Sequence, residues 1–263
     1  RRPVHQRHLC LRHSLRLRAL YPLVQSPDAP LRGIVVHAVL EDFVKSVVVD
    51  PANLTRAHLL EIANGTLADL VPWPAARTIW LARLARIADW FIEAERARLA
   101  TASPIAFEDD ARGLLELPDL AFTIRGVADR IDRNAAGEIQ IYDYKTGNPP
   151  TDKQQKHFDK QLLIEAAMVE EGAFRKIGAA PVSRATFIGL GNPPVEQHAP
   201  LEEEPPAVVL ENLRKLIAAY LDPEQGFTAR RMMEKVVFAG EFDHLARFGE
   251  WDGSDPAQPE DLT

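Results

Sequence analysis

The chain has 263 residues, of which 46% are hydrophobic and 26% charged, and this composition is ordinary for a folded globular protein. Its single cysteine, Cys10, excludes an intrachain disulfide and any four-cysteine zinc or iron–sulfur site. The net charge of −7 argues against nonspecific nucleic-acid binding through bulk charge, but it leaves open an acidic site that a metal offsets. The sequence has no apolar run of membrane-spanning length and no signal peptide, so we expect a cytoplasmic protein without a membrane partner.

Residues 1–30 are predicted to form a basic amino-terminal segment. The sequence begins with Arg rather than Met, which suggests a fragment of a longer chain or a processed form. The Arg- and His-rich pattern fits either an arm that contacts phosphates or a solvated terminus, and the residue types do not decide between them.

Apolar residues at helical spacing predict two long helices in the first hundred residues. The stripe of the first helix, over residues 31–48, consists of Val36, Leu40, Phe43 and Val47. The stripe of the second, over residues 75–100, consists of Trp80, Leu84, Ile87 and Phe91. Between them, Pro and Gly residues predict short helical pieces over residues 50–75.

His37 and Glu41 lie four residues apart on the first helix, beside its apolar stripe. That spacing allows both side chains to point into the same cleft. A histidine at such a position is either a metal ligand or an ordinary packed or surface residue, and the helix alone does not distinguish the two.

Residues 125–147 predict a hairpin in which RGVADRID and EIQIYDYKTG are joined by a polar turn. Because strand side chains alternate, Asp143 and Lys145 should end the face that Ile139 and Ile141 anchor in the core. Asp129 should lie across the hairpin from them. Two carboxylates at the end of a buried face are costly unless a cation or a shared proton offsets their charge.

The remaining elements follow from shorter patterns. Residues 101–118 predict an acidic loop with a strand near 114–117, and residues 153–171 predict a helix that Thr151 or Asp152 caps. This helix carries Gln161 and Glu165 four residues apart. A buried strand is expected over residues 184–190 and an amphipathic helix over residues 208–220.

An imidazole with two carboxylates suits Mg²⁺, or Mn²⁺, since both prefer oxygen-rich sites. A lysine beside such a cation can position a water and stabilise charge on a phosphate. The predicted chemistry is therefore phosphodiester hydrolysis. The sequence has no glycine-rich phosphate loop, so we expect this chain to bind no nucleotide.

The sequence resembles the RecB-type branch of the PD-(D/E)XK nuclease superfamily in the order of four motifs. These are RG followed by His37, RGVADRID, IYDYKTG and QLLIEAAM. Within that branch, and with DHLARFGEW near the end, it most resembles the carboxy-terminal nuclease domain of the AddB family. The resemblance covers residues 31–252, with a core near 114–191 and a tail at 253–263. It implies an α/β fold with a restriction-endonuclease-like core, in which helices flank a central mixed sheet and further helices are added.

The resemblance also implies roles for individual residues. His37, Asp129 and Asp143 would ligate the divalent metal, with the Tyr144 carbonyl completing the shell. Lys145 would be the catalytic lysine, acting together with Asp129 and Asp143.

Gln161 and Tyr144 are expected next to this set by the same resemblance, in which Gln161 matches a helix glutamine near the DNA path. Glu41 is expected there because of its spacing from His37. Some members carry a tyrosine four residues after the glutamine, where this chain has Glu165.

The implied function is magnesium-dependent exonuclease or endonuclease activity on single-stranded DNA in double-strand-break repair and recombination. An AddA-like helicase subunit would feed the strand end. Two alternatives remain open at this point: an inactive nuclease-like module that serves as a DNA clamp or scaffold, and a standalone phage or CRISPR-associated nuclease.

Overall fold

The structure is a computed structural model that describes residues 27–222. Of these, residues 27–212 form one compact unit, and residues 213–222 belong to a second one. The predictions for residues 1–26, for the DHLARFGEW motif and for the tail at 253–263 lie outside the described residues. Within residues 27–222, no helix is both long and apolar enough to cross a membrane.

In the described part of the chain, three helices precede the sheet: α1 (Ala29–Val49), α2 (Arg56–Leu70) and α3 (Pro74–Thr101), with a short 3₁₀ turn at Pro51–Asn53. Asp28 caps α1, since its Oδ1 accepts the Leu31 N–H at 2.9 Å. Both predicted apolar stripes are confirmed, because all eight of their residues are buried. The prediction of short pieces between them is wrong: α2 runs through Gly65 unbroken, since burial of its apolar face outweighs the weak helix propensity of one glycine.

Seven strands follow among residues 102–198, and they form two sheets. The strands are β1 (Ala102–Phe107), β2 (Arg112–Leu117), β3 (Phe122–Val127), β4 (Arg130–Asn134), β5 (Ile139–Lys145), β6 (Val182–Gly189) and β7 (Val195–His198). The main sheet has the order β1-β4-β5-β6-β7, whereas β2 and β3 pair separately. Only the β5–β6 pairing is parallel in these sheets of the described chain, so the main sheet is mixed.

Helices pack on both sides of the central strand β5. Tyr142 and Tyr144 join the core formed with α1, α2 and α3, and β5 is connected to β6 through α4 (Asp152–His157) and α5 (Gln161–Glu170). The last described helix is α6 (Pro206–Leu221). The expected α/β fold, with helices flanking a central mixed sheet and further helices added, is confirmed.

The sheet is wider than the predicted core of residues 114–191, since it begins at Ala102 and ends at His198. The sequence predicted an acidic loop from residue 101 up to the strand near 114–117, whereas residues 102–107 form strand β1, which contains Pro104. β1 tolerates this proline because it lies at the sheet edge, and its pairing with β4 shifts register between Pro104 and Ala106.

Two predicted continuous elements are interrupted. RGVADRID forms two strands instead of one: β3 pairs with β2, β4 pairs with β5, and Asp129 lies in the break between them. The helix predicted over residues 153–171 is likewise split into α4 and α5, with residues 158–160 between them. Thr151 caps α4 in a capping box with Gln154, which confirms one of the two predicted caps.

Candidate active site

The β4–β5 turn sets the register that places Asp143 and Lys145 at the carboxyl end of β5. The Asn134 side-chain oxygen accepts the N–H groups of Ala136 and Glu138 at 3.0 and 2.9 Å. Gly137 supplies the left-handed conformation that this turn needs, with φ at +85°. A slip of one residue would move every β5 side chain to the opposite face of the sheet.

His37 of α1 reaches the end of β5 and meets two carboxylates there. Its Nε2 lies 2.7 Å from the Tyr144 carbonyl oxygen, and its Nδ1 lies 3.3 Å from Glu108 Oε1 and 3.4 Å from Asp129 Oδ1. Because a carbonyl oxygen only accepts, Nε2 is the donor in the first contact and Nδ1 faces the carboxylates. We call His37, Glu108 and Asp129 the histidine–carboxylate cluster.

The three side chains of this cluster offer ligand atoms that all lie within 4.8 Å of one another. No other group of three potential ligands in the described part of the chain meets that criterion. One imidazole nitrogen and two carboxylate oxygens form a suitable donor set for a hard or borderline divalent cation.

The electrostatics of the cluster favour positive charge. Burial by itself lowers the pKa of His37, but the Asp129 carboxylate, the Tyr144 carbonyl and Glu108 raise it to about 9. The imidazole is therefore held as a cation at neutral pH when no other cation is present.

Tyr144 contributes its backbone to the site and its side chain to the core. Its N–H donates to Asp129 Oδ2 at 2.7 Å, and its carbonyl accepts from His37. The residue is only 4% exposed, and its ring packs edge-on to the His37 ring. The phenol is thus not available to DNA, whereas the main chain fixes both Asp129 and His37.

A second group of side chains, the lysine–amide cluster, lies around Lys145 at the same end of β5. Lys145 Nζ is 2.8 Å from Asp143 Oδ2 and 3.0 Å from Gln161 Oε1. Gln161 Nε2 donates to Asp143 Oδ1 at 2.6 Å and to Glu165 Oε1 at 3.1 Å. The cluster therefore consists of Asp143, Lys145, Gln161 and Glu165.

Both carboxyl groups of the lysine–amide cluster hold protons more tightly than usual. Burial raises the pKa of Asp143, as does the nearby charge of Asp129, while Lys145 and Gln161 oppose the change. Burial also raises the pKa of Glu165 to about 8, and Glu165 Oε2 is a buried atom without a hydrogen-bond partner among the described residues. Excess negative charge here would be relieved by a cation.

The predicted site residues thus fall into two neighbouring sets. His37 and Asp129 meet in one, while Asp143, Lys145 and Gln161 meet in the other. Asp143 is not part of the histidine–carboxylate cluster. Glu41 forms an ion pair with Lys45 on α1, and its expected place beside the site stays a prediction.

Glu108 is the cluster member that sequence reasoning missed. It follows directly after β1, and β1 pairs with β4 so that Phe107 lies opposite Arg130. The next positions of that ladder are Glu108 and Asp129, which explains why they meet. The FEDD run at residues 107–110 was a signal, but it was informative only once β1 and its partner were known.

A buried ion network supports the strand that follows Asp129. The guanidinium of Arg130 is fully buried, contacts both Glu95 oxygens at 2.7 and 2.8 Å, and pairs with Asp132 at 2.6 Å. Glu95 also accepts from Arg98, which in turn pairs with Glu196. The network joins α3 to β4 and β7.

The sequence profile of the PD-(D/E)XK nuclease superfamily matches residues 6–236, so the chain belongs to that superfamily. Nucleases of this superfamily typically use divalent metals, and the histidine–carboxylate cluster provides a matching donor set.

Three similar proteins, all described as uncharacterized, come from Rickettsia species. The chain is 30% identical to one of Rickettsia bellii over 163 residues, which is 61% of this chain and 19% of the relative. It is 30% identical to one of Rickettsia conorii over 149 residues, which is 55% of this chain and 18% of the relative. It is 31% identical to one of Rickettsia typhi over 147 residues, 54% and 17%. The matched segment thus spans about a fifth of the length of these relatives.

Proposed function

We propose that this chain is the nuclease domain of an AddB-like protein and hydrolyses phosphodiester bonds of single-stranded DNA with Mg²⁺ or Mn²⁺. The observation that carries the proposal is the position of the two clusters. The histidine–carboxylate cluster and the lysine–amide cluster meet at the carboxyl end of β5, in a chain of the PD-(D/E)XK nuclease superfamily.

The residues present fit a divalent cation. We propose His37, Asp129 and Glu108 as its ligands, with Asp143 as a further one because the Asp129 charge already acts on it. A divalent cation bound there would polarise a phosphoryl oxygen and acidify a bound water. We also propose the Tyr144 carbonyl for this shell, on the motif resemblance alone, because in the structure it accepts a hydrogen bond from His37 Nε2 at 2.7 Å.

Lys145 is the proposed catalytic residue. Its ammonium is held by Asp143 and Gln161, and its side chain remains 32% exposed, so a phosphate or a water can reach it. From that position it can orient a water and stabilise negative charge that develops on the phosphate. Gln161 and Asp143 act on the reaction by fixing where the ammonium lies.

The larger assembly is also part of the proposal. We propose a domain over residues 31–252 that works in the cytoplasm in double-strand-break repair, receiving a single-stranded end from an AddA-like helicase subunit. The motif resemblance supports this, and so do the Rickettsia relatives, in which the matched segment is a small part of a much longer protein.

The test is a cleavage assay on single-stranded DNA with the full chain, with and without Mg²⁺. Lys145→Ala should reduce the cleavage rate by on the order of 10²-fold or more, since it removes charge stabilisation in the transition state, while DNA binding remains. Lys153→Ala, which removes an exposed lysine of α4, is the control and should cut normally. Cleavage without a divalent cation, or unchanged cleavage by Lys145→Ala, would contradict the proposal.

A further inference from the structure

A cleft of about 260 Å³ is lined by residues of α1, of α3 and of the segments that follow β5 and β6. Three arginines line it: Arg32 of α1 and Arg83 and Arg86 of α3. Its apolar wall is formed by Val36, Trp80, Leu84 and Ile87. The cleft is thus a locally positive surface with a dry wall, in a chain whose net charge is −7.

The arginines of the cleft have no carboxylate partner among residues 27–222. In contrast, Arg56, Arg96 and Arg112 each pair with an aspartate or a glutamate elsewhere on the surface. Arg32 Nε is a buried atom without a hydrogen-bond partner in the described part of the chain. An unsatisfied buried donor is costly, so an acceptor that enters the cleft would relieve this cost.

The cleft is lined by residues next in sequence to two residues of the proposed active site. Thr146, which lines it, directly follows Lys145, and Val36 directly precedes His37. The Lys145 carbonyl accepts the Leu190 N–H at 2.8 Å, which fixes the floor of the cleft to the end of β5. Gly191 also lines the cleft, where an added Cβ would lie 2.5 Å from Asn148 Oδ1. The absence of a side chain therefore lets the loop after β5 approach closely.

We propose that this cleft binds the sugar–phosphate backbone of the single strand next to the bond that is cut. The inference rests on the proposed nuclease function and adds the path of its substrate. Guanidinium groups recognise phosphates through paired hydrogen bonds, and a dry wall strengthens such contacts. Trp80 is only 7% exposed, so it offers little face for stacking on a base. The cleft should therefore bind phosphates without preference for the base sequence.

The experiment measures DNA binding separately from cleavage. The parent for this experiment is the full chain carrying Lys145→Ala, which should bind DNA without cutting it. The DNA affinities of Arg83→Gln/Arg86→Gln and of Arg83→Lys/Arg86→Lys are compared in this parent. Fluorescence anisotropy of a labelled oligothymidylate measures them at several salt concentrations. The matched control is Arg175→Gln/Arg184→Gln, which removes the same charge from exposed arginines outside the cleft.

The glutamine variant of the cleft should bind about tenfold more weakly, and the slope of log affinity against log salt should fall by about 1.4, about 0.7 for each lost phosphate. The lysine variant should retain most of the slope, and the control should match the parent. Equal weakening in the cleft variant and the control would overturn the inference. Arg83 and Arg86 are exposed, so both variants should fold. Melting temperatures equal to that of the parent check this.

The two proposals fail in different ways. Normal metal-dependent cleavage by the parent chain, with no change in binding on Arg83→Gln/Arg86→Gln, would reject the cleft and keep the nuclease. Binding that depends on the cleft, without metal-dependent cleavage, would reject the nuclease and keep the cleft as a DNA-binding surface.

Discussion

The amide of Gln161 has one orientation that satisfies its neighbours. Its Oε1 accepts from the Lys145 ammonium, and its Nε2 donates to Asp143 and Glu165. An ammonium has only donors and the Asp143 carboxylate has only acceptors, so a flipped amide would lose both contacts. Gln161 thereby keeps Lys145 and Asp143 in a fixed relation.

Cation binding at His37 should depend on pH. Burial lowers the pKa of His37 but Asp129 and its other neighbours raise it to about 9, so a cation must displace a proton at lower pH. The apparent affinity for Mn²⁺ should rise by about tenfold per pH unit between about pH 6.5 and 8.5. Calorimetric titration measures this rise.

The controls for that titration are two histidine variants. His37→Gln should bind Mn²⁺ weakly and lose most of the pH dependence, while His157→Gln, at an exposed position of α4, should behave as the parent. A parent affinity that does not change with pH would remove His37 from the ligand set.

Glu165 should make the free energy of unfolding depend on pH. Burial raises its pKa to about 8 from the usual 4.5, so between these values the folded chain keeps a proton that the unfolded chain releases. Stability should therefore fall as pH rises through this window. Glu165→Gln should remove the fall and be more stable than the parent at about pH 8, by on the order of a few kcal/mol.

Urea unfolding with a chelator present, at about pH 5 and pH 8, measures the effect of Glu165 on the free energy. Glu171→Gln changes an exposed carboxylate one residue beyond α5 and should follow the parent at both values. Parallel pH profiles for the parent and Glu165→Gln would show that Glu165 is ionised in the folded state.

At the level of elements, the break between β3 and β4 provides the Asp129 carboxylate of the site. Asp129 Oδ2 accepts a hydrogen bond from the Tyr144 N–H. In a continuous strand, a main-chain carbonyl would accept this hydrogen bond instead. β3 is then free to pair with β2 in the small sheet. RGVADRID contains no proline or glycine at the break, so its composition could not reveal that it forms two strands.

Arg130 joins α3 to β4, and its loss should be costly. Arg130→Met would leave the buried carboxylates of Glu95 and Asp132 without their main partner. The expected loss is about 3 to 5 kcal/mol of unfolding free energy, typical of breaking a buried ion pair from one side. Chemical denaturation measures it.

Arg96→Met is the matched control for Arg130, since Arg96 pairs with Glu93 at the surface of the same helix α3. Surface pairs contribute at most about 1 kcal/mol, so this variant should stay close to the parent. A similar small loss in Arg130→Met would mean that the network contributes little to stability.

For the whole molecule, the central strand β5 brings the two clusters together. One face of β5 packs on α1, α2 and α3, and α1 supplies His37. The other face of β5 contacts α5, which supplies Gln161 and Glu165. Strand ends in mixed and parallel sheets commonly hold ligand sites, because loops and helix ends from several elements converge there. The site therefore depends on both helical layers.

The long helices α1 and α3, the strand β5 and the shared face of Asp143 and Lys145 were predictable from the sequence, because apolar periodicity and the turn at Asn134–Gly137 are local signals. Glu108 was not, since it depends on the pairing of an edge strand that contains Pro104 with β4. The ion pair of Glu41 with Lys45 was also missed, because spacing on a helix shows which residues are neighbours but not which partner each one takes.

The most direct test of the account is anomalous scattering from crystals of the full chain grown with Mn²⁺. The account predicts a Mn²⁺ ion bonded to His37 and Asp129 at about 2.0 to 2.6 Å, with Glu108 or Asp143 in its shell. Asp129→Ala should abolish the anomalous peak. No peak at the histidine–carboxylate cluster, or a peak bound only elsewhere on the chain, would contradict a metal-dependent nuclease site at the end of β5.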